Sequence, residues 1–264
     1  MSKHGFCRSV GLCVATLAAA VLCTDPAPAG AGEIRLLSAA AMQTVFRMIT
    51  DDFERASGHK LVFAYTTMGA VTQRVTAGET ADLIVGSTQS LDQLAAAGKI
   101  APTSRVTIAR VGIGAVVPTG TAKPPIATAE ELKRALLAAP VVVYAFPAGG
   151  GAAGVHIGRV IEKLGIAEQL KPKTRFGQGG DVTEVTLAQG PGAFGMTQIS
   201  EIVNKPGADF AGPFPAELQN YTGVTVGVPA GAAPSAAVTA LIAFLQSPTA
   251  VAALKARGME VVEQ

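Results

Sequence analysis

The stretch Val141–Gly165, VVVYAFPAGGGAAGVHIGRVIEKLG, limits the possible folds of this chain more than any other. Val141–Phe146 is an apolar run of strand length. Glycines stand at 149, 150, 151 and 154, and an amphipathic helix is expected from about Val155. A strand feeding a glycine-rich loop that opens a helix is the building unit of α/β domains. It is also an anion site by construction: the loop amides are bare, and the helix N-terminus carries partial positive charge.

The unit recurs along the chain. Glu33–Leu37 reads as a strand, followed by Ser38-Ala39-Ala40-Ala41-Met42 and a helix to about Ser57, with Val45, Phe46, Ile49 and Phe53 at helical spacing. Lys60–Tyr65 is a second strand, Thr66-Thr67-Met68-Gly69-Ala70 a turn, and Val71–Ala77 a short helix. Ala81–Gly86 is a third strand and Leu91–Gly98 a helix. Strands at Val111–Val117, Val141–Phe146, Lys173–Phe176, Ala193–Thr197 and Val224–Val228 alternate with helices at Thr128–Ala138, Val155–Leu164 and Asp181–Gln189. Helices at Ser235–Gln246 and Thr249–Arg257 close the chain. Thr128 with Glu131 is a capping-box pattern. The alternation predicts an α/β fold with a largely parallel sheet.

Small polar loops follow the strands in two sets. The first set is Ser38–Met42, Thr66–Ala70 and Gly86–Thr88. The second is Pro147–Gly154, Gly177–Asp181 and Thr197–Ser200. Ligands of open α/β sheets bind outside the carboxyl ends of strands, so two sets predict two facing lobes.

The N-terminus predicts export. Lys3 and Arg8 precede the apolar run Val10–Cys23, and Ala27-Pro28-Ala29 and Ala29-Gly30-Ala31 suit signal cleavage, so residues 1–31 read as a signal peptide. A lipid anchor at Cys23 is the competing reading, disfavoured by Leu22 before it. Cys7, Cys13 and Cys23 all lie in this segment, which leaves the remainder without a disulfide, a thiol nucleophile or a cysteine metal site. His59 and His156 alone do not make a metal cluster, and no metal or cofactor is expected. Without residues 1–31 the basic count falls from 21 to 19 and the acidic count from 19 to 18. A net charge of about +1 argues against a nucleic-acid partner.

Gly149, Gly151 and Gly154 spell G-x-G-x-x-G. A dinucleotide site would need an acidic residue near the end of the next strand, and Gly177-Gln178-Gly179 stands there instead. No Gly-Lys-Ser/Thr follows, which excludes a phosphate loop of the Walker type. Anion capture by loop amides and a plain structural turn are the readings left. His156 reads either as a packed histidine or as a donor or acid–base group facing the cleft. Asp181 reads as a helix cap or a cleft group. Arg74 and Arg159 have carboxylate-binding chemistry but no assigned position. Met42, Met68 and Met196 read as core packing.

Four segments carry a resemblance: Ile34–Met42 (IRLLSAAAM), Val75–Gly86 (VTAGETADLIVG), the PAGGGAAG loop with its helix ending Glu162–Gly165, and Gly192–Ile202 (GAFGMTQISEI). In their order and spacing the chain resembles the periplasmic solute-binding proteins of ABC importers, most nearly the molybdate-binding family. The resemblance implies two Rossmann-like lobes joined by a two-strand hinge, with a ligand cleft between them. It implies crossings near Val111–Pro118 and Val224–Val228, a first lobe of residues 32–114 plus 223–264, and a second of 115–222. It places ligand contacts at Ser38, Ala39, Ala40, Ala41, Thr67, Met68, Gly69, Gly151, Ala152, Ala153, Gly154, His156, Val182 and Gln198. The molybdate binders carry a serine at the position of Ala41 and a tyrosine at that of Gln198. Two lost hydroxyls, and an amide that both donates and accepts, suit an organic di- or tricarboxylate better than molybdate.

The expectation is therefore a periplasmic, soluble, monomeric solute-binding protein that hands a small anion to an ABC permease. The alternative is an aconitate isomerase-like enzyme on the same scaffold. That enzyme would be independent of metal and would move a proton with His156 or Asp181, or Glu184, as base.

Overall fold

The computed structural model describes residues 32–149, 151–178, 180–231 and 233–262, all within one compact unit. The expected signal peptide, with its three cysteines, lies outside the described residues, as do Gly150 and Gly179.

The first half runs β1 (Glu33–Ala39), α1 (Gln43–Ser57), β2 (Lys60–Thr66), α2 (Met68–Thr76), β3 (Leu83–Ser87) and α3 (Thr88–Ala96). The long β4 (Val106–Pro118) leads to α4 (Ala129–Ala138), β5 (Val142–Ala145), α5 (Ala152–Lys163), α6 (Ala167–Leu170) and β6 (Thr174–Gly177). Then come α7 (Val182–Ala188), β7 (Phe194–Gln198), α8 (Ile199–Ile202), β8 (Ala208–Pro213), β9 (Tyr221–Gly227), α9 (Ala236–Phe244), α10 (Pro248–Ala256) and β10 (Glu260–Val261). The α/β alternation is as expected, in two lobes, but the sheet is mixed rather than largely parallel: β4 runs antiparallel to β7, β8, β9 and β10, and β3 to β9, because β4 is shared between the lobes.

The helices form where the sequence pattern requires. In α1, Val45, Phe46, Ile49 and Phe53 are all buried, and each is worth about 2 kcal/mol of apolar burial. Thr128 and Glu131 close the expected capping box on α4. Several boundaries differ from expectation, and three of them matter for the site. The region read as a turn before Val71 is already α2, because Thr67 caps it: the Thr67 hydroxyl accepts from the Ala70 amide at 3.3 Å. Helix α5 starts at Ala152, not Val155. Strand β4 starts at Val106, not Val111, because β9 pairs with its first half.

One sheet path runs β2-β1-β3-β9-β4-β7-β5-β6. β4 is shared: its first half pairs with β9 and β10, its second half with β7 and β8. Cores follow this division. Ile34, Leu36, Phe46, Phe53, Leu83, Val226, Leu241 and Leu254 fill one face of the first lobe under α1, α9 and α10. Leu37, Val71, Ile84 and Leu91 fill its other face. Ile113, Leu132, Tyr144, Ile157, Phe194 and Met196 form the main core of the second.

Register fixes how the loops meet. β1, β2 and β3 run parallel, so the loops after Ala39, Thr66 and Ser87 open at one end. β5, β6 and β7 are also parallel, and their loops open after Ala145, Gly177 and Gln198. Ser87 is level with Val224 on antiparallel β9, and Val224 with Ala109 on β4. Gln198 is level with Ile113 on β4, and β7 runs antiparallel to it. The two sets of strand ends therefore point at each other, separated along β4 by the rise from Ala109 to Ile113, about 13 Å.

The return from the second lobe is secured by a side chain. Gln219 Oε1 accepts from the Ile113 amide at 2.7 Å, and its Nε2 donates to the Ile113 carbonyl at 2.9 Å. The amide thus stands in for a strand partner between the last β9 pair, Gly112 with Tyr221, and the first β8 pair, Gly114 with Pro213. Gln219→Ala is expected to leave the Ile113 amide unpaired, while its carbonyl keeps the Phe214 amide as a donor at 2.9 Å, and to lower stability by about 1–3 kcal/mol. Urea unfolding measures this; an unchanged midpoint contradicts the bridging role.

Candidate functional site

In the first lobe Ser38 is buried, and its hydroxyl donates to the Ala39 carbonyl at 3.1 Å. Ala39 is partly exposed and Ala40 and Ala41 are exposed on a 3-10 turn at the mouth of β1, while Met42 turns inward to the core. Thr67 spends its hydroxyl oxygen on capping α2, which leaves the first-turn amides of Met68 and Gly69 without helical acceptors. Met68 bridges two loops: its Sδ accepts from the Ser87 amide at 3.3 Å and lies against Gly86. Met196 is fully buried in the second-lobe core. Met42 and Met196 are packing residues, as expected, and Met68 packs partly buried beside Val71.

In the second lobe the first turn of α5 presents the amides of Ala152, Ala153 and Gly154 behind Gly151 at the N-cap. Gly154 is buried against the end of β5, where an added Cβ would lie 2.5 Å from the Ala145 carbonyl oxygen. This contact brings the helix start down onto the strand end. The earlier start of α5 puts His156 in its second turn rather than its first. His156 Nε2 donates to the Leu218 carbonyl at 2.8 Å, on the segment that returns to the first lobe. Its other nitrogen has no protein partner among the described residues.

Asp181 faces its own loop: its Oδ1 accepts from the Gln178 amide at 2.7 Å. It caps the turn before α7 and does not bond the helix amides. Val182 is buried beside Val143 and Ala145, which leaves its backbone to face the loop end. Gln198 is partly exposed at the end of β7, and its side-chain amide bonds nothing among the described residues. Arg74 is occupied by an ion pair with Glu79, and Arg159 lines a cavity of about 500 Å³ with Glu162, Lys171 and Phe176, whose wall also includes Pro147 at the start of the loop after β5. Glu184 pairs with Lys205 on the surface. Among the described residues no three metal-ligating side chains converge.

Two features were not legible in the sequence. Thr88, Thr225 and Thr107 form a hydroxyl chain, with Thr225 Oγ1 at 2.7 Å from Thr88 and 2.9 Å from Thr107. It ties the α3 start to β9 and β4 at the mouth of the first lobe, and only strand pairing brings these positions together. The second is Glu201, in α8 just past Gln198. Burial raises its carboxyl from an ordinary 4.5 to about 6, against the pull of the Thr197 hydroxyl that donates to it. Thr183 donates to its backbone carbonyl at 3.0 Å. The spacing of Thr197 and Glu201 was the only available sequence signal.

The geometry is that of two walls of amides and hydroxyls. A family model described as bacterial extracellular solute-binding protein matches residues 34–260. The chain belongs to that family. A curated relative, an aconitate isomerase from a Pseudomonas species, is 28% identical over 235 residues, spanning 87% of this chain and 88% of that protein. Among solved structures, a substrate-binding domain assigned to a molybdenum ABC transporter from Clostridium difficile matches with a TM-score of 0.72 and 16% identity, over 88% of this chain and 100% of that one. The periplasmic molybdate-binding protein of Azotobacter vinelandii matches at 0.67 and 18%, with the same coverage. At those identities the solved structures speak for the fold, and the two-lobed architecture of solute-binding proteins is shared.

Gly154→Ala is expected to push α5 off the β5 end, costing about 1–3 kcal/mol in urea unfolding; a neutral substitution contradicts the close approach. For Glu201 the sign with pH is set by its raised value. Below about pH 4.5 folded and unfolded chains are both protonated and nothing is lost; as pH rises through 6 the folded chain must carry a buried charge. Glu201→Gln is expected to gain stability over the parent between those pH values, levelling off above them at up to about 2 kcal/mol. A difference that does not change with pH contradicts the assignment.

Proposed function

We propose that this solute-binding protein captures an organic di- or tricarboxylate between the two sets of loops. The carrying observation is the register of β4, which aims the strand ends of the two lobes at each other. The proposed contacts are Ser38, Ala39, Ala40, Ala41, Thr67, Met68 and Gly69 on one wall. On the other are Gly151, Ala152, Ala153, Gly154, His156, Val182 and Gln198. Backbone amides satisfy carboxylate oxygens without a buried counter-charge. The Gln198 amide donates and accepts, which suits a ligand carrying hydroxyl or protonated carboxyl groups beside its charges. The walls belong to a first lobe of 32–114 with 223–264 and a second of 115–222, hinged on β4 and on the return through Gln219. Residues 1–31 direct export and are removed. The loaded monomer delivers its anion to an ABC permease. Among the described residues no single helix is long and apolar enough to cross a membrane.

Calorimetry with citrate, trans-aconitate, succinate, molybdate and sulfate tests this reading. One-to-one binding of a carboxylate, with molybdate and sulfate at least about tenfold weaker, is expected. Tight molybdate binding, or no binding by any of the five, overturns it.

A second reading is catalytic, and the aconitate isomerase relative favours it, since its 28% identity exceeds that of the solved binding proteins above. An isomerisation of that kind takes a proton from carbon beside a conjugated carboxylate and returns it elsewhere on the same allylic frame. His156 is the better placed base, with one nitrogen anchored on Leu218 and the other free of protein partners among the described residues. Asp181 is committed to the Gln178 amide. Proton spectroscopy of trans-aconitate incubated with the chain separates the readings: conversion to the cis isomer, abolished in His156→Ala, supports catalysis. Tight binding without conversion over hours supports transport alone.

A further inference from the structure

Helix α8 follows β7 without a linker, and Gln198 is both the last strand residue and the N-cap of α8. Although β7 lies in the second-lobe sheet, α8 is fastened to the first lobe from three directions. Arg257, buried at the C-cap of α10, donates from Nη2 to the Ser200 carbonyl at 2.6 Å and from Nη1 to the Val203 carbonyl at 2.5 Å. Asn204 Nδ2 donates to the Ala256 carbonyl at 3.0 Å. Ile199 packs against the first-lobe core and presses on Gly258, where an added Cβ would lie 2.5 Å from Ile199 Cγ2. Gly258 also adopts φ +67°, which a side chain would strain.

Two costs accompany this arrangement. A buried guanidinium is expensive unless paired, and no carboxylate pairs with Arg257 among the described residues; it is spent on two carbonyls. The Ser200 hydroxyl is buried without a partner among the described residues, another expense to stability. A helix of one turn contributes too little apolar burial to require either. What the arrangement fixes is the point where α8 begins, and the unbonded amide of Gln198 stands there.

We propose that Arg257 is a positioning residue for the cleft: by holding α8 on the first lobe while β7 stays with the second, it sets the Gln198 amide between the two walls. The role in ligand binding rests on the carboxylate reading above; the fastening of α8 does not. Any rotation between lobes must then release Arg257 from α8, or bend the chain at Gln198 and break the Thr183 bond to the Glu201 carbonyl.

The test has two arms on the full exported chain. In the first, trans-aconitate is the calorimetric probe for the parent, Arg257→Ala, Arg257→Lys, Gln198→Ala and the double variant Arg257→Ala/Gln198→Ala. Arg257→Ala is expected to weaken binding on the order of tenfold, with Arg257→Lys between it and the parent. The double variant is expected to match Gln198→Ala rather than multiply the two losses. Multiplying losses, or unchanged affinity in folded Arg257→Ala, overturns the positioning role. The second arm, amide hydrogen exchange without ligand, is expected to show faster exchange at Ser200–Asn204 in Arg257→Ala with β1 and β3 unchanged. Unchanged exchange there overturns the fastening itself. If Arg257→Ala does not fold, Asn204→Gly, which removes the Ala256 contact at a backbone φ of +62° that glycine adopts without strain, is expected to move both readouts in the same direction and by less; no movement overturns the proposal. A parent that binds no trans-aconitate ends the positioning role for this ligand, while the exchange arm still decides the fastening.

Discussion

The facing of the two sets of loops depends on β4 pairing with different strands along its two halves. A strand that simply continued one sheet would leave its neighbours' loops scattered along an edge. Here β9 and β7 are both antiparallel to β4, and each meets it on its own half. The parallel triplets β1–β2–β3 and β5–β6–β7 consequently approach from opposite directions. Backbone hydrogen bonding sets this geometry before any ligand-facing side chain matters.

The alternation of strand, small loop and helix was legible because each element buries a continuous apolar face, as α1 does with Val45, Phe46, Ile49 and Phe53. Boundaries were less legible where a cap or a partner strand decides them. Thr67 moved the start of α2 because its hydroxyl is worth more as a cap than as a turn residue. β4 began early because its first residues are paired by a strand more than a hundred positions later. The short β8, β10, α6 and α8 have no periodicity of their own, and their existence follows from what they pack against.

The candidate site could be read as a set of loops and not as a set of interactions. That Gly154 permits helix α5 to seat on β5 follows from its position in a glycine run. That Asp181 turns back to the Gln178 amide, that His156 reaches Leu218, and that Arg74 is consumed by Glu79 are facts of three-dimensional proximity. Gln219 and Arg257 are further cases. Both bond backbone atoms distant in sequence, and both act where the chain passes between lobes. A single sequence carries no mark of such contacts. The wall chemistry that results is mostly neutral donors, with a buried acid at Glu201 behind them.

The central claim is that one ligand touches both sets of strand ends at once. Backbone amide spectroscopy of the chain titrated with trans-aconitate reads this residue by residue. Met68 and Gly69 in the first lobe, and Ala152 to Gly154 with Gln198 in the second, are expected to shift together along one saturating curve. Shifts confined to one lobe, or centred instead on the cavity around Arg159 and Phe176, would contradict it.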